Sequence, residues 1–140
     1  MAKVELKGIG KVYGGAIYND EGATLVLEGT TFTGNTAAGV ANDIYNAGTL
    51  TFKGENTLGS GIVSTSTGVL NFDFTEGSTT TIIGAAPVGG VYSSHIDHAV
   101  TVGAGATLSL TNTKVSVQSG NAIIATMIPD MISRTSCLPE

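Results

Sequence analysis

The chain has 140 residues, enough for one domain with a buried core, and its 41% hydrophobic and 12% charged residues exclude the low-hydrophobicity, high-charge composition of disordered chains. Six lysine and arginine residues against eleven acidic residues give a net charge of −5, which excludes the basic surface that nucleic-acid binding requires. A single cysteine excludes an internal disulfide, and every apolar run is far shorter than the ~20 residues of a membrane-spanning helix.

The first predicted element is an edge strand or cap at the N terminus, residues 1–11. Polar and apolar residues alternate along it, and its lysines, Lys3, Lys7 and Lys11, are typical of a protected strand edge. No apolar stretch follows these charges, so the segment lacks the pattern of a secretory signal. We therefore expect an exported form of the protein to be represented here without its leader.

Residues 12–120 are predicted to form many short strands. No 3.6-residue apolar periodicity is sustained there, and short apolar or alternating runs are bounded by Gly, Asn and Thr. Three segment types recur in the same order. The first occurs at 15–19, 42–46, 61–65 and 90–93, the second at 22–29, 48–54, 68–72 and 105–110, and the third at 30–35, 56–59, 80–83 and 114–117.

This recurrence predicts a parallel β-helix. Equivalent residues are separated by 18 positions, between Ile44 and Ile62, to 38 positions, between Leu70 and Leu108. Three strands per period with inserts of variable length is the pattern of a solenoid whose coils lie ~4.8 Å apart. A β-sandwich has as many strands but does not require the same segments to recur in order. The predicted fold is all-β, a solenoid of about four to five coils with terminal caps.

The same alignment predicts which side chains stack in columns. Gly and Asn are expected at bends that need positive φ, Thr and Ser are expected to face water, and the amides of Asn19 and Asn46 are expected to hydrogen-bond along the stack. The predicted apolar columns are Ile17, Ile44 and Ile62; Leu25, Leu50, Leu70 and Leu108; and Phe32, Leu58, Ile82 and Val115.

Residues 121–140 are predicted to be a C-terminal cap or tail, because the repeat is lost there. Pro129, Pro139 and Arg134 lie in this segment, and a short helix is predicted around 129–134. Cys137 has no neighbouring His and therefore no sign of activation as a nucleophile.

The segment at 14–19, GGAIYN, and the segment at 32–35, FTGN, resemble the repeat of bacterial polymorphic outer-membrane proteins and related autotransporter passengers, which is marked by GGA[I/L/V] and FxxN elements. The segment at 42–52 is similar to the coil that follows, although Asn42 and Asp43 stand where the family has Gly-Gly. The resemblance is best over residues 13–54. It implies a right-handed β-helix, exposed at a bacterial surface or secreted, in an adhesive or stalk role.

The densest polar cluster is His95-Ile96-Asp97-His98. On a strand, His95 and Asp97 share one face and His98 points with Ile96, so only two of the three polar groups converge. A metal site would need a third ligand from a neighbouring coil, and the sequence identifies none. We therefore interpret the cluster as a solvated corner.

Carboxylates are the second source of candidate chemistry, because enzymes on β-helix scaffolds align carboxylates from adjacent coils. The acidic residues available occupy different phases of the repeat, so we do not expect them to form an acid/base pair. At the bend Asp20-Glu21, an ordinary polar turn is favoured over a calcium site. The candidates are Asp20, Asp43, Asp73, Glu76 and Asp97.

The sequence therefore predicts a non-catalytic structural or adhesive module of a bacterial surface or secreted protein. It is expected to contact protein or glycan surfaces and to form homo-oligomers by stacking end to end or side by side. No catalytic, cofactor-binding or metal-binding residues are assigned and no cofactor is expected. The alternative is a carbohydrate-active β-helix enzyme, or a fragment of one.

A further alternative is a Thr ladder that orders water, as in ice-binding solenoids. Thr31 and Thr33, Thr49 and Thr51, and the run 79–81 have the Thr-x-Thr spacing that such a face requires. The irregular coil lengths argue against it, because they are expected to shift these residues out of line.

Overall fold

A computed structural model of the protein describes residues 3–7, 15–72, 77–117 and 120–125. These residues form strands and turns and contain no helix, so the predicted all-β class is confirmed. The described part of the chain accordingly has no helix long and apolar enough to cross a membrane. The helix predicted around 129–134, Cys137, Asp73 and Glu76 lie outside the described residues.

The described strands follow one another as repeats of up to three strands. The N-terminal strand is β1 (Lys3–Lys7). The first repeat is β2 (Ile17–Asn19), β3 (Thr24–Glu28) and β4 (Thr31–Phe32), followed by the hairpin β5 (Thr36–Ala37) and β6 (Val40–Ala41). The second is β7 (Ile44–Asn46), β8 (Thr49–Lys53) and β9 (Glu55–Leu58), and the third is β10 (Ile62–Ser64), β11 (Val69–Phe72) and β12 (Ser78–Ile83). The fourth is β13 (Ser94–Ile96), β14 (Val100–Val102) and β15 (Ala106–Thr111), and β16 (Thr113–Val115) and β17 (Ile123–Ala125) complete the series.

Equivalent strands of successive repeats pair in parallel. They form sheet I (β2, β7, β10, β13, β16), sheet II (β3, β8, β11, with β1 antiparallel at its outer edge) and sheet III (β4, β9, β12, β15). In sheet II the parallel pairing ends at the third repeat, whereas sheets I and III continue into the fourth. There β11 is not paired with β14, which instead pairs with β17 in a separate two-stranded sheet.

The longest inserts lie at the passage from sheet III to sheet I. Residues 33–43 separate β4 from β7 and residues 84–93 separate β12 from β13, whereas only residues 59–61 separate β9 from β10. The register within sheet III is nevertheless continuous, with Thr57 opposite both Thr31 and Thr81. The repeats therefore differ in length mainly in these inserts, which lie outside sheets I, II and III.

Apolar side chains from the three sheets form the core, and most of the predicted columns are confirmed. The rings of Phe52 and Phe72 add a stacked pair with centroids 5.4 Å apart. Opposite one another in register are Ile17, Ile44 and Ile62 in sheet I, Leu25, Leu50 and Leu70 in sheet II, and Phe32, Leu58 and Ile82 in sheet III.

Two predicted column members are wrong. Leu108 lies opposite Thr80 in sheet III and not in the column of Leu70. Val115 lies opposite Ile96 in sheet I and not in the column of Phe32. The segment at 90–93, predicted as a first strand, belongs to an insert, and the strand begins at Ser94.

The error at Leu108 has a local cause. The letters Gly-Ala-Thr-Leu at 22–25 lead into sheet II, and the same letters at 105–108 lead into sheet III. A Gly turn followed by an alternating run specifies a bend and a strand, but it does not specify the corner at which the bend occurs. An alignment based on matching residue types therefore assigns the segment at 105–110 to sheet II, although it belongs to sheet III.

Buried polar side chains are hydrogen-bonded to one another where the chain leaves sheet I for sheet II. Asn19 Nδ2 donates to Asn46 Oδ1 at 2.8 Å, and Asn46 Nδ2 donates to Ser64 Oγ at 3.2 Å. All three side chains are fully buried. The predicted hydrogen bond between Asn19 and Asn46 is therefore confirmed, and Ser64 continues the chain of polar contacts into the third repeat.

Candidate functional site

The cluster at 95–98 divides between two environments. His95 Nδ1 and Asp97 Oδ1 are 3.0 Å apart on the outer face of sheet I, and Ile96 between them is fully buried. The prediction that His95 and Asp97 share a face is confirmed. No group of three or more His, Cys, Asp or Glu side chains that could hold a metal ion occurs among the described residues.

His98 instead contacts Ser64. This residue ends the row of hydrogen-bonded buried side chains Asn19, Asn46 and Ser64, which we call the buried amide chain. His98 Nε2 is 2.7 Å from Ser64 Oγ, and its Nδ1 is 2.8 Å from the carbonyl oxygen of Ala99. Because a carbonyl only accepts, Nδ1 donates to Ala99, and in the tautomer with its proton on Nδ1 the Nε2 atom accepts from the Ser64 hydroxyl. The Ser64 hydroxyl is fully buried and therefore not accessible to a substrate, and the Ser–His pair joins the end of β10 to the residues that follow β13.

Sequence reasoning missed this contact because its partners are 34 residues apart and Ser64 has the pattern of an ordinary strand end. His98 also borders a cavity of about 310 Å³ between the unpaired edges of β11 and β14. Its two imidazole nitrogens are already bonded to Ser64 and Ala99, so the ring offers the cavity no free nitrogen ligand.

The three candidate carboxylates in the described part of the chain are far apart. Asp20 follows β2 and Asp43 precedes β7, and the register of Asn19 with Asn46 places them four positions apart along the strands, ~13 Å at ~3.3 Å per residue. Asp97 lies in the column of Asp20 but three strands away, ~14 Å at ~4.8 Å per strand. Glycosidase carboxylates lie within roughly 5–9.5 Å of each other. These three residues therefore do not form an acid/base pair.

Asp43 serves the fold. Its side chain is fully buried, with Oδ1 accepting from Asn35 Nδ2 at 2.8 Å and Oδ2 accepting from the backbone N–H of Ser60 at 2.7 Å. Both oxygens are thus used to hold the insert 33–43 and the turn 59–61 together. The Asp43 carboxylate therefore bridges two consecutive connections from sheet III to sheet I.

The bend at Asp20 and Glu21 is a hydrogen-bonded turn. Asp20 Oδ1 accepts from the backbone N–H of Glu21 at 2.8 Å and from the hydroxyl of Tyr18 at 3.2 Å. The Tyr18 ring stacks on Tyr45 with centroids 5.0 Å apart. The carboxylate therefore orients a stacked tyrosine pair on the outer face of sheet I.

The C-terminal end of sheets I and III presents strand edges. Among the described strands, β16 ends sheet I and β15 ends sheet III, and each pairs on one side only. Their core-facing residues Leu108, Leu110 and Val115 are half-buried, whereas Ile82 and Ile96 in the adjacent strands are fully buried. We call β15 and β16, with these three side chains, the terminal edge.

The outer face of sheet III carries an array of hydroxyl groups. One column contains Thr31, Thr57, Thr81 and Ser109, and the neighbouring column contains Thr79 and Thr107. We call these six residues the hydroxyl face. The sequence analysis named Thr31 and the run 79–81, but it placed Thr49 and Thr51, which lie on sheet II, in the same set. It missed Thr57, Thr107 and Ser109, because the register of sheet III is not visible in the irregular repeat lengths.

An apolar groove of about 480 Å³ lies between the two long inserts. Val40 from one insert and Val88 and Val91 from the other line it, and Val88 is 81% exposed. Isolated sequence patterns do not predict this groove, because its walls belong to loops separated by two repeats.

Comparison of the chain with known protein families, with curated proteins and with solved structures found no match.

Proposed function

We propose that the protein is a non-catalytic structural module, a right-handed parallel β-helix that associates with further copies through its ends. The observation that carries this proposal is the terminal edge. Among the described residues its strands pair on one side only, and its core-facing leucines and valine are half-buried. Open parallel edges with exposed core positions are templates for strand addition.

The register supports continuous stacking. Sheet I contains five strands paired in parallel, and sheet III contains four. At the opposite end, β2 and β4 also pair on one side only among the described strands. A terminal edge that meets β2 and β4 of another copy makes a head-to-tail contact, and repetition of such a contact produces an open filament.

The setting in which such a module would act follows from the resemblance at 13–54. We propose a bacterial surface or secreted location and contacts with protein or glycan surfaces. The separation of Asp20, Asp43 and Asp97 favours this role over the carbohydrate-active alternative. Release of reducing ends or unsaturated products from a panel of acidic and neutral glycans would contradict the non-catalytic part of the proposal.

Self-association is tested by sedimentation equilibrium of the full chain over a wide concentration range. We expect the average mass to rise with concentration. Leu110→Lys places a charge among the core-facing side chains of the terminal edge and is expected to lower the mass towards that of the monomer. The matched control Ser109→Lys lies on the same strand but faces outward, and it is expected to associate like the wild type.

Circular dichroism and urea unfolding establish that both variants remain folded. A wild-type chain that stays monomeric at all concentrations overturns the proposal. Equal association of folded Leu110→Lys and wild type also overturns it, because the terminal edge is then not the contact.

A further inference from the structure

The hydroxyl face is aligned although the repeats differ in length. The inserts 33–43 and 84–93 lie outside sheet III, so Thr31, Thr57, Thr81 and Ser109 remain directly opposite one another. The irregular repeat lengths therefore do not displace these residues from one another in sheet III. The face forms a lattice with ~4.8 Å between strands and ~6.6 Å between alternate residues of one strand.

These spacings are close to those of ordered water. With O···O hydrogen bonds of ~2.75 Å, tetrahedral geometry places second-neighbour oxygens ~4.5 Å apart and repeats the layers every ~7.3 Å. Each lattice direction of the face therefore differs from the water network by less than about 10%. Across the four strands of sheet III the mismatch accumulates to only ~0.9 Å, less than one hydrogen-bond length.

The hydroxyl groups are available for such contacts. Within the described part of the chain, the side chains of Thr31, Thr57, Thr81 and Ser109 have no hydrogen-bond partner, whereas Thr79 donates to the carbonyl of Gly77. Threonine is stiff about χ1 and the strands hold its backbone, so little entropy is lost when these hydroxyls become ordered.

Charge does not oppose binding over most of the face. In the described strands of sheet III, Glu55 is the only charged residue at an outward position. It stands at the start of the second column, opposite Thr79. A hydroxyl array with one charged residue at its margin suits a neutral, periodic ligand better than an ionic one.

We propose that the hydroxyl face binds ice, with the threonine hydroxyls taking lattice positions in the first layer of water. This inference does not depend on self-association, because the terminal edge uses the core-facing side of β15 and the hydroxyl face uses its outward side. A folded Leu110→Lys variant is therefore expected to keep the ice-binding activity.

The test measures thermal hysteresis and the inhibition of ice recrystallisation by the full chain. The wild type is expected to separate the freezing and melting temperatures and to keep ice grains small. Thr81→Lys, in the middle of the longer column, is expected to lose most of both effects, and Thr57→Lys is a second variant with the same expectation. Thr51→Lys, which faces outward on sheet II between Val26 and Asn71, is the matched control and is expected to keep them.

Unfolding curves show whether each variant is folded, so that loss of activity is not confused with loss of structure. Absence of both effects in the wild type overturns the proposal. Equal activity of folded Thr81→Lys and Thr51→Lys overturns it as well, because activity would then not come from the hydroxyl face.

Discussion

Replacement of Asn46 by alanine removes the central link of the buried amide chain. Asn46 Oδ1 accepts from Asn19 Nδ2 at 2.8 Å, and its Nδ2 donates to Ser64 Oγ at 3.2 Å and to the carbonyl of Val69 at 3.3 Å. The side chain is fully buried, so water cannot replace these contacts unless the connection between sheets I and II moves apart. Asn19 keeps its bond to the carbonyl of Thr49 at 3.0 Å, which limits the damage to its amide.

The expected cost follows from the number of contacts. At ~0.5–1.5 kcal/mol for each of the three lost hydrogen bonds, Asn46→Ala lowers the free energy of unfolding by about 1.5–4.5 kcal/mol. The assay is urea unfolding, read from the midpoint at constant m value. Asn71→Ala is the control, because that side chain is exposed and makes a single 3.4 Å contact with Thr51 Oγ1. A loss below ~1 kcal/mol for Asn46→Ala, or equal losses in the two variants, would refute the reasoning.

Other predictions concern the bends. Gly48→Ala places a Cβ 2.3 Å from the carbonyl oxygen of Asp20 and 2.4 Å from that of Ala23, so urea unfolding should show a loss of at least about 1–3 kcal/mol; an unchanged midpoint would contradict the close packing. Ala38 has φ of 51° in the hairpin turn, and Ala38→Gly should raise the melting temperature through a gain of about 1 kcal/mol; a lower melting temperature would mean that the left-handed conformation is not strained. Asn112 has φ of 49°, and Asn112→Ala should cost about 1 kcal/mol in urea unfolding while Asn112→Gly costs less; the reverse order would contradict this account.

Local sequence patterns predicted a large part of the early repeats. Alternation of apolar and polar residues fixes which side chains face inward, and this is why the columns headed by Ile17, Leu25 and Phe32 are recovered through the third repeat. The same alternation places His95 and Asp97 on one face. Buried amides at equivalent strand ends, such as Asn19 and Asn46, meet because adjacent strands are in register.

The candidate surfaces required the tertiary structure. The terminal edge depends on which strands pair last, and the hydroxyl face depends on inserts that leave sheet III undisturbed. The contact between Ser64 and His98 joins residues of different repeats and depends on how the chain turns after β13. None of these relations has a signature within one segment of sequence.

The sequence alone determined the strand-rich class and the inward-facing apolar positions of the early strands, because these depend on the pattern of residues close along the chain. The tertiary structure decided that Leu108 belongs to sheet III, that Val115 belongs to sheet I, and that β11 and β14 do not pair with each other. The physical reason is that the same turn residues allow a bend at any corner, and only the packing of complete repeats selects which corner each bend occupies.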